Sequence, residues 1–261
     1  MKKVAVVIPI HRLLTPDEQI SLNHLRKFLN DYDHYLIMPN SFNAKSFNKI
    51  KSKKIIRFAA KNFVNLQTYS ALLNTKNFYL PFVDYGYILI YQLDALVFSN
   101  QLNFWCDKGY DYIGAPFLNS KIGQLSYKPG NPISGGNGGF SLRKVSSFIK
   151  VINYAENLTT RSSNNLFISK LWFIMAVLTG NSHKIWLNSS PKDYPFNEDG
   201  FWSYEASKYM KSFRVAPFEI SLRFSFEKDP RKLFKLNKEK LPFGCHAWAR
   251  YDRKFWNQYL L

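Results

Sequence analysis

Four short stretches of this chain carry side chains able to do chemistry. The first is YILIYQLDALVF, residues 87–98, where Gln92 and Asp94 follow a run of large apolar residues. In an extended strand, residues two apart face the same way, so both side chains would meet one ligand. A hard divalent cation takes oxygen donors, commonly one or two carboxylates plus the phosphates of a substrate. A strand-end aspartate that caps the following turn explains Asp94 as well. The second is ISGGNGGFSLR, 133–143, where Gly135, Gly136, Gly138 and Gly139 surround Asn137. Glycine permits positive φ and close backbone approach, so such a loop passes beneath a sugar or phosphate, or makes a simple tight turn. No Gly-Lys-Ser/Thr follows it, and it does not sit in a first strand–helix turn, so it is neither a P-loop nor a dinucleotide fingerprint.

The third stretch is FNEDGFW, 196–202. Glu198 and Asp199 stand between aromatics where a helix begins. One of them is a candidate general base for deprotonating a hydroxyl. Alternatively Asn197 is an N-cap, and both carboxylates sit in a first turn that favours negative charge. The fourth is PFGCHAWARYDRKFW, 242–256. His246 among Gly, Cys, Ala and Trp is expected to be a partly buried imidazole. Cys245 beside it makes no zinc site without further ligands. Trp248 and Trp256 serve as stacking surfaces or as core.

These side chains need a scaffold, and the first half of the chain spells one out. Val4–Ile10 reads as a buried strand. It is too short for a secretory leader, is ended by Pro9 and His11, and has no small-residue cleavage site after it. In TPDEQISLNHLRKFL, Thr15 is the N-cap, Pro16 the first helical residue and Glu18 the closing residue of a capping box. HYLIMP, KKIIRF, YGYILIYQLD and YDYIGAP read as strands, with NLQTYSALL and SNQLNFWCDKG as helices between them. Such alternation predicts an α/β domain with a mixed, mainly parallel sheet flanked by helices. In such sheets ligands sit beyond the carboxyl ends of the strands, where Asp94 and Pro9, Ile10 and His11 fall. The second half is less regular: 121–140 reads as a long Gly- and Pro-rich loop, 141–158 as a strand end and helix, NEDGFWSYEASKYM as a helix and FRVAPFEISLRFSFE as strand. The apolar stretch Leu166–Gly180 is too short for a membrane span and carries Lys170. It reads as a core helix or as a surface that touches a membrane interface.

Composition narrows the function classes. The chain has 261 residues, 46% of them hydrophobic, enough for a substantial core. No repeat, low-complexity linker or domain boundary is visible, so a single domain is expected. Two cysteines, Cys106 and Cys245, give no disulfide framework and fit a reducing compartment. The 36 Lys and Arg against 18 Asp and Glu leave a net charge of +18, which calls for an anionic partner. No nucleic-acid-binding motif accompanies it, so a phosphorylated ligand or anionic lipid is expected in place of nucleic acid.

In this order, YILIYQLDALVF, GYDYIGAPF, GGNGGFSLR, NEDGFWS and PFGCHAWAR resemble a bacterial domain-of-unknown-function family, family 5672, which is similar to the GT-A fold glycosyltransferases. The resemblance runs from about Tyr69 to Trp256. It implies one GT-A-like (Rossmann-like) domain, with a nucleotide-binding half over about 1–115 and an acceptor-side half over about 116–261. It implies a hexosyltransferase-type enzyme that moves a sugar from a nucleotide sugar, UDP being the expected nucleotide, to a glycan or lipid-linked acceptor. By the same resemblance Gln92-Leu93-Asp94 is the DxD-like position, Gly135–Gly139 the glycine loop, Asn197-Glu198-Asp199 the acidic motif and His246 the C-terminal metal ligand. Asp94 and His246 would then hold Mn²⁺ or Mg²⁺. Pro9, Ile10, His11, Gln92, Gly135, Gly136, Asn137 and Arg250 would border the donor, with Arg253 as another basic candidate. Asp199, with Glu198 beside it, would be the catalytic base of an inverting transfer. The chain departs from the pattern at Gln92, where the family has an acidic residue, which puts metal dependence in question. A non-catalytic carbohydrate- or nucleotide-binding module on the same fold is the alternative. The Lys-, Asn-, Ile- and Phe-rich composition looks bacterial. It fits a cytoplasmic protein of surface polysaccharide or lipooligosaccharide synthesis, peripheral at the inner face of the membrane.

Overall fold

The computed structural model of the protein describes residues 2–43, 47, 50, 52–117, 133–162 and 190–261. The expected segments 121–132 and Leu166–Gly180 lie outside the described residues. The central sheet has six strands in the order β3-β2-β1-β4-β7-β6. These are β1 (Lys2–Pro9), β2 (Asp33–Pro39), β3 (Lys54–Phe58), β4 (Tyr85–Tyr91), β6 (Tyr112–Phe117) and β7 (Ile133–Lys144). β1 is parallel to β2 and β4, and β2 to β3, whereas β7 runs antiparallel to both β4 and β6.

The VAVVI run of β1 is apolar at every position because both faces of the sheet are covered. Val4, Val6 and Ile8 pack with Leu22, Leu25 and Leu29 of α1 (Pro16–Leu29). Ala5 and Val7 pack on the other face with α2 (Leu66–Leu73), α3 (Lys76–Tyr79) and α5 (Val145–Ser162). The capping box of α1 forms as the sequence predicts. Thr15 Oγ1 accepts from the Glu18 amide at 3.3 Å, and Glu18 Oε2 accepts from the Thr15 amide at 2.7 Å. The same Glu18 oxygen accepts from Arg12 at 2.9 Å, so the cap also holds the loop that leaves β1.

A second sheet has three short strands in the order β5-β9-β8: β5 (Leu96–Val97), β9 (Gly244–Cys245) and β8 (Ser225–Phe226). It joins the segment after β4 to the C-terminal part of the chain. Trp248 and Trp256 are fully buried beneath it with Leu96, Phe226 and Cys245, so both are core.

Two expectations about the second half are corrected. The segment from Ile133 through Gly139 is strand, the first part of β7. It pairs with β6 through two register shifts, and Gly136 takes φ 84° there. A Cβ at Gly136 would lie 1.4 Å from the Ala115 carbonyl oxygen, so glycine is what lets the strands approach. The second correction is FEISLRF, which alternates like a strand yet forms the helix Phe218–Phe224. Pro217 stands at its N-cap position and accepts from the Ser221 amide at 3.0 Å, while Leu222 and Phe224 enter two different core clusters. Tertiary packing overrides the period-two pattern here.

Replacing Thr15 by Ala removes the side-chain half of the cap. The expected loss is about 1 kcal/mol of unfolding free energy. It should appear as a lower urea midpoint with an unchanged slope.

Candidate active site

A cleft of about 400 Å³ opens beyond the carboxyl ends of β1 and β4. Chain connections leave in opposite directions on the two sides of this point, β2 and β3 to one side and β4 to the other, which is where open α/β sheets bind ligands. It is lined by Pro9, Ile10, His11 and Arg12, by Asn65, Leu66 and Tyr69 around the start of α2, and by Gln92 and Asp94. Burial first, then the neighbouring Arg12 charge, lowers the His11 pKa, which favours the neutral ring.

Gln92 and Asp94 lie just past the end of β4, in a turn closed by the Ala95 amide donating to the Gln92 carbonyl at 2.9 Å. It is this turn, in place of strand alternation, that aims both side chains at His246. His246 Nε2 lies 3.1 Å from Gln92 Oε1 and 3.1 Å from Asp94 Oδ1. The backbone fixes the arrangement. His246 N donates to Phe226 O at 2.9 Å, and Trp248 N donates to Asp94 O at 3.1 Å. Between them Ala247 takes φ 50°, a left-handed conformation that a residue with a side chain rarely adopts. Such strain clusters at functional sites, where packing over-determines it; here the buried Trp248 anchors the bend.

The imidazole lies over Gly139. A Cβ on that residue would stand 2.1 Å from His246 Nε2, so no side chain fits there. Behind the ring, Nδ1 is buried and has no aligned hydrogen-bond partner among the described residues. Glu227 Oε1 stands 3.4 Å from it, within ion-pair range. The same Glu227 oxygen accepts from Asn137 Nδ2 at 3.0 Å, and Asn137 Oδ1 accepts from the Gly139 amide at 2.8 Å. Burial alone would lower the His246 pKa, but the charges of Asp94 and Glu227 outweigh it and hold the group near about 10. For Asp94, half-exposed at its side chain, burial pulls upward most, but the charge and hydrogen bond of His246, a backbone hydrogen bond and the Arg12 charge together lower its pKa.

Asp199 and Glu198 are both buried but do different things. Glu198 Oε1 accepts from Arg143 Nη2 at 2.9 Å, and its Oε2 accepts from Ser70 Oγ at 3.0 Å. Arg143 has no solvent exposure and also donates to Tyr79, Ser141 and the Gly138 carbonyl. Asp199 Oδ1 accepts from the Gly200 amide at 2.7 Å and forms no ion pair among the described residues. Burial first, then the charges of Glu198 and Glu227, pushes its pKa up to about 8. Asn197 occupies the N-cap position of the helix Glu198–Gly200, but its side chain makes no capping hydrogen bond.

Gly135 and Gly136 lie in β7, with the Gly136 amide donating to Ser203 Oγ at 3.0 Å. Arg250 is exposed and lines a separate groove of about 510 Å³ with Asp229, Arg231, Lys232 and Tyr251. Arg253 pairs with Asp17 and lies over the Trp248 ring. Sequence reading missed Glu227 and Arg143. Glu227 is a lone carboxylate just past an apolar run, the same signal that singled out Asp94. Arg143 alternates with Phe140 and Leu142, a pattern that usually places an arginine in solvent; here the opposite face of β7 is covered too.

No three His, Cys, Asp or Glu side chains stand together as a metal-holding group among the described residues. A cation would therefore be held by Asp94 and His246 with the Gln92 amide oxygen as a neutral third donor. The two 3.1 Å edges from His246 Nε2 suit that role. An octahedral cation with bonds of about 2.1 Å has ligand–ligand edges of about 3 Å. With its proton on Nε2, His246 must give it up for a metal to bind.

A family model described as "Protein of unknown function (DUF5672)" matches residues 52–246. No curated protein matches the sequence. Among solved structures, the galactosyltransferase LgtC in complex with donor and acceptor sugar analogues aligns over 93% of this chain and 86% of its own, at 11% identity and a TM-score of 0.52. The glycosyltransferase GlyE of Streptococcus pneumoniae TIGR4 aligns over 98% of this chain at 12% identity and a TM-score of 0.50. This chain spans 60% of the length of GlyE. At these identities the likeness shows the fold, that of the GT-A glycosyltransferases.

Removing one partner of the Arg143–Glu198 pair leaves a buried charge alone. Arg143→Met should cost about 3–5 kcal/mol of unfolding free energy. Arg143→Met combined with Glu198→Leu should recover part of that loss, as read by denaturant titration of all three proteins.

Proposed function

The chain belongs to the DUF5672 family, and on that premise we propose that it is a nucleotide-sugar-dependent glycosyltransferase. The observation that carries the reading is the convergence of His246 on Gln92 and Asp94, two residues that line a cleft above the β1–β4 switch point. The cleft volume of about 400 Å³ suits a nucleotide. In this reading Pro9, Ile10 and His11 border the base and ribose, UDP being the expected nucleotide, and the diphosphate reaches Gln92 and Asp94. Asp94, His246 and the Gln92 oxygen would hold Mn²⁺ or Mg²⁺, which would supply positive charge against the diphosphate.

Asp199 takes the proton of the acceptor hydroxyl as that oxygen bonds to the anomeric carbon. The bond from that carbon to the diphosphate oxygen breaks, and its electron pair leaves with the nucleotide. Attack opposite the leaving group inverts the anomer. Glu198 serves by placing Asp199, since both its oxygens are already engaged. Asn137, Gly135 and Gly136 belong to the segment over which the donor sugar would lie. A non-catalytic binding module is the second reading, favoured by one observation: Gln92 brings no charge where an acidic residue is expected. Nucleotide-sugar hydrolysis without acceptor separates the two.

A base with a pKa of about 8 is protonated at lower pH, so kcat/KM should rise about tenfold per pH unit up to that value and then level. Asp199→Asn should abolish transfer while keeping the thermal shift that a UDP-sugar gives with Mn²⁺. An active Asp199→Asn protein removes Asp199 from this role, and a retained anomer in the product NMR spectrum removes direct inversion.

The acceptor in this reading is a glycan or lipid-linked saccharide of bacterial surface polysaccharide or lipooligosaccharide synthesis. Among the described residues no helix is long and apolar enough to cross a membrane. A net charge of +18 supports peripheral binding at the cytoplasmic face of the membrane. Each basic residue near an anionic surface contributes about 1 kcal/mol. Sedimentation with phosphatidylglycerol-containing vesicles should recover more protein than with neutral vesicles, and salt should abolish the difference. Equal recovery would count against membrane contact.

A further inference from the structure

Glu227 has no part in the reaction as written above, yet it is the carboxylate most closely woven into the site. Its exposure is 8%, and among the described residues it pairs with no lysine or arginine. Its neighbours are His246 and Asn137, both met by the same atom: Oε1 lies 3.4 Å from His246 Nδ1 and 3.0 Å from Asn137 Nδ2. We infer that Glu227 is the positioning residue of this site, a carboxylate that turns His246 so that Nε2 faces Gln92 and Asp94 and that ties Asn137 to the same ring.

Two sets of contacts orient the imidazole, one at each ring nitrogen. Gly139 supports one side of the ring without bonding to it. Nε2 meets two oxygens, Gln92 Oε1 and Asp94 Oδ1, which a ring turned by 180° would face with Cε1–H. On the far side, the only charged neighbour of Nδ1 among the described ion pairs is Glu227. A histidine that presents one nitrogen to a cation commonly gives the other N–H to a carboxylate, which fixes ring orientation and raises ligand basicity. Glu227 is well placed to do this, because it follows β8 directly. The Phe226 carbonyl accepts from the His246 amide at 2.9 Å, so the backbone that carries the carboxylate is bonded to the backbone that carries the imidazole. The circuit then closes through Asn137, whose Oδ1 accepts from the amide of Gly139 beneath the ring. Four residues from three distant parts of the chain thus hold one another, and Glu227 is the member that touches both side chains.

The consequence for cation binding rests on the glycosyltransferase reading; the orientation of the ring does not. Two measurements keep them apart. The first is ¹⁵N NMR of the His246 imidazole at one fixed pH, without metal or nucleotide, in the wild type, Glu227→Gln and Glu227→Ala. The second is Mn²⁺ titration followed by electron paramagnetic resonance on the same proteins. The Nδ1 resonance is expected to move in both variants. Mn²⁺ affinity should fall about 10–100-fold in Glu227→Ala, and by less in Glu227→Gln, which keeps an oxygen and nearly the same volume. Glu227→Gln also serves if Glu227→Ala fails to fold. An unmoved Nδ1 resonance in Glu227→Gln overturns the assignment. If the wild type binds no Mn²⁺, the metal-assisted reading fails, and the NMR comparison still decides the role of Glu227.

Discussion

The site depends on a buried charge pair. Arg143 and Glu198 are both withdrawn from water, and neither charge would be tolerated there alone. Together they join elements far apart in sequence. Arg143 rises from β7 and donates to Tyr79 of α3 and to the carbonyl of Gly138; Glu198 begins the acidic helix and accepts from Ser70 of α2. Asp199 is the next residue along. Its position beside the glycine strand follows from where its neighbour is tethered, and its raised pKa follows in part from that neighbour's charge. A pair of this kind adds little net stability. Its value lies in specifying one arrangement of backbone.

Around that anchor, close backbone approach does the remaining work. Gly138 admits Glu198, Gly139 admits the His246 ring, and Gly244 admits Phe140, each where a methyl group would overlap its neighbour. The antiparallel direction of β7 matters as much. A parallel strand in that place would send residues 136–139 to the opposite end of the strands. Running backwards, it pairs Phe140 with Tyr91 and so sets the glycines directly beside Gln92 and Asp94.

How much of this was legible beforehand differs by element. The first half was readable because its signals are local: Thr15 and Glu18 three residues apart, apolar runs bounded by turns, Asp94 at the end of one of them. The structure brings Gln92, Asp94 and His246 together, a convergence that the resemblance implied and local pattern alone could not. Two kinds of signal misled. Glycine and asparagine in 133–139 look like loop, yet bulged pairing with β6 makes them strand. Alternation in FEISLRF looks like strand, yet Pro217 and two separate packing sites make it helix. Glu227 and Arg143 stayed invisible for another reason. A charged residue at the margin of an apolar run looks like a surface residue until the fold covers it, and the partners of these two include Glu198 and Tyr79, 55 and 64 positions from Arg143, and Asn137, 90 positions from Glu227.

Distance along the chain has one more consequence. Gln92 and His246 are separated by 154 positions. The six strands of the main sheet have all been synthesised by Lys144, whereas Glu198, Asp199, Glu227 and His246 emerge afterwards. A growing polypeptide thus possesses the complete set of sheet strands well before it possesses these four side chains. A chain cut short before residue 246 would carry those strands but lack the imidazole that Gln92 and Asp94 face.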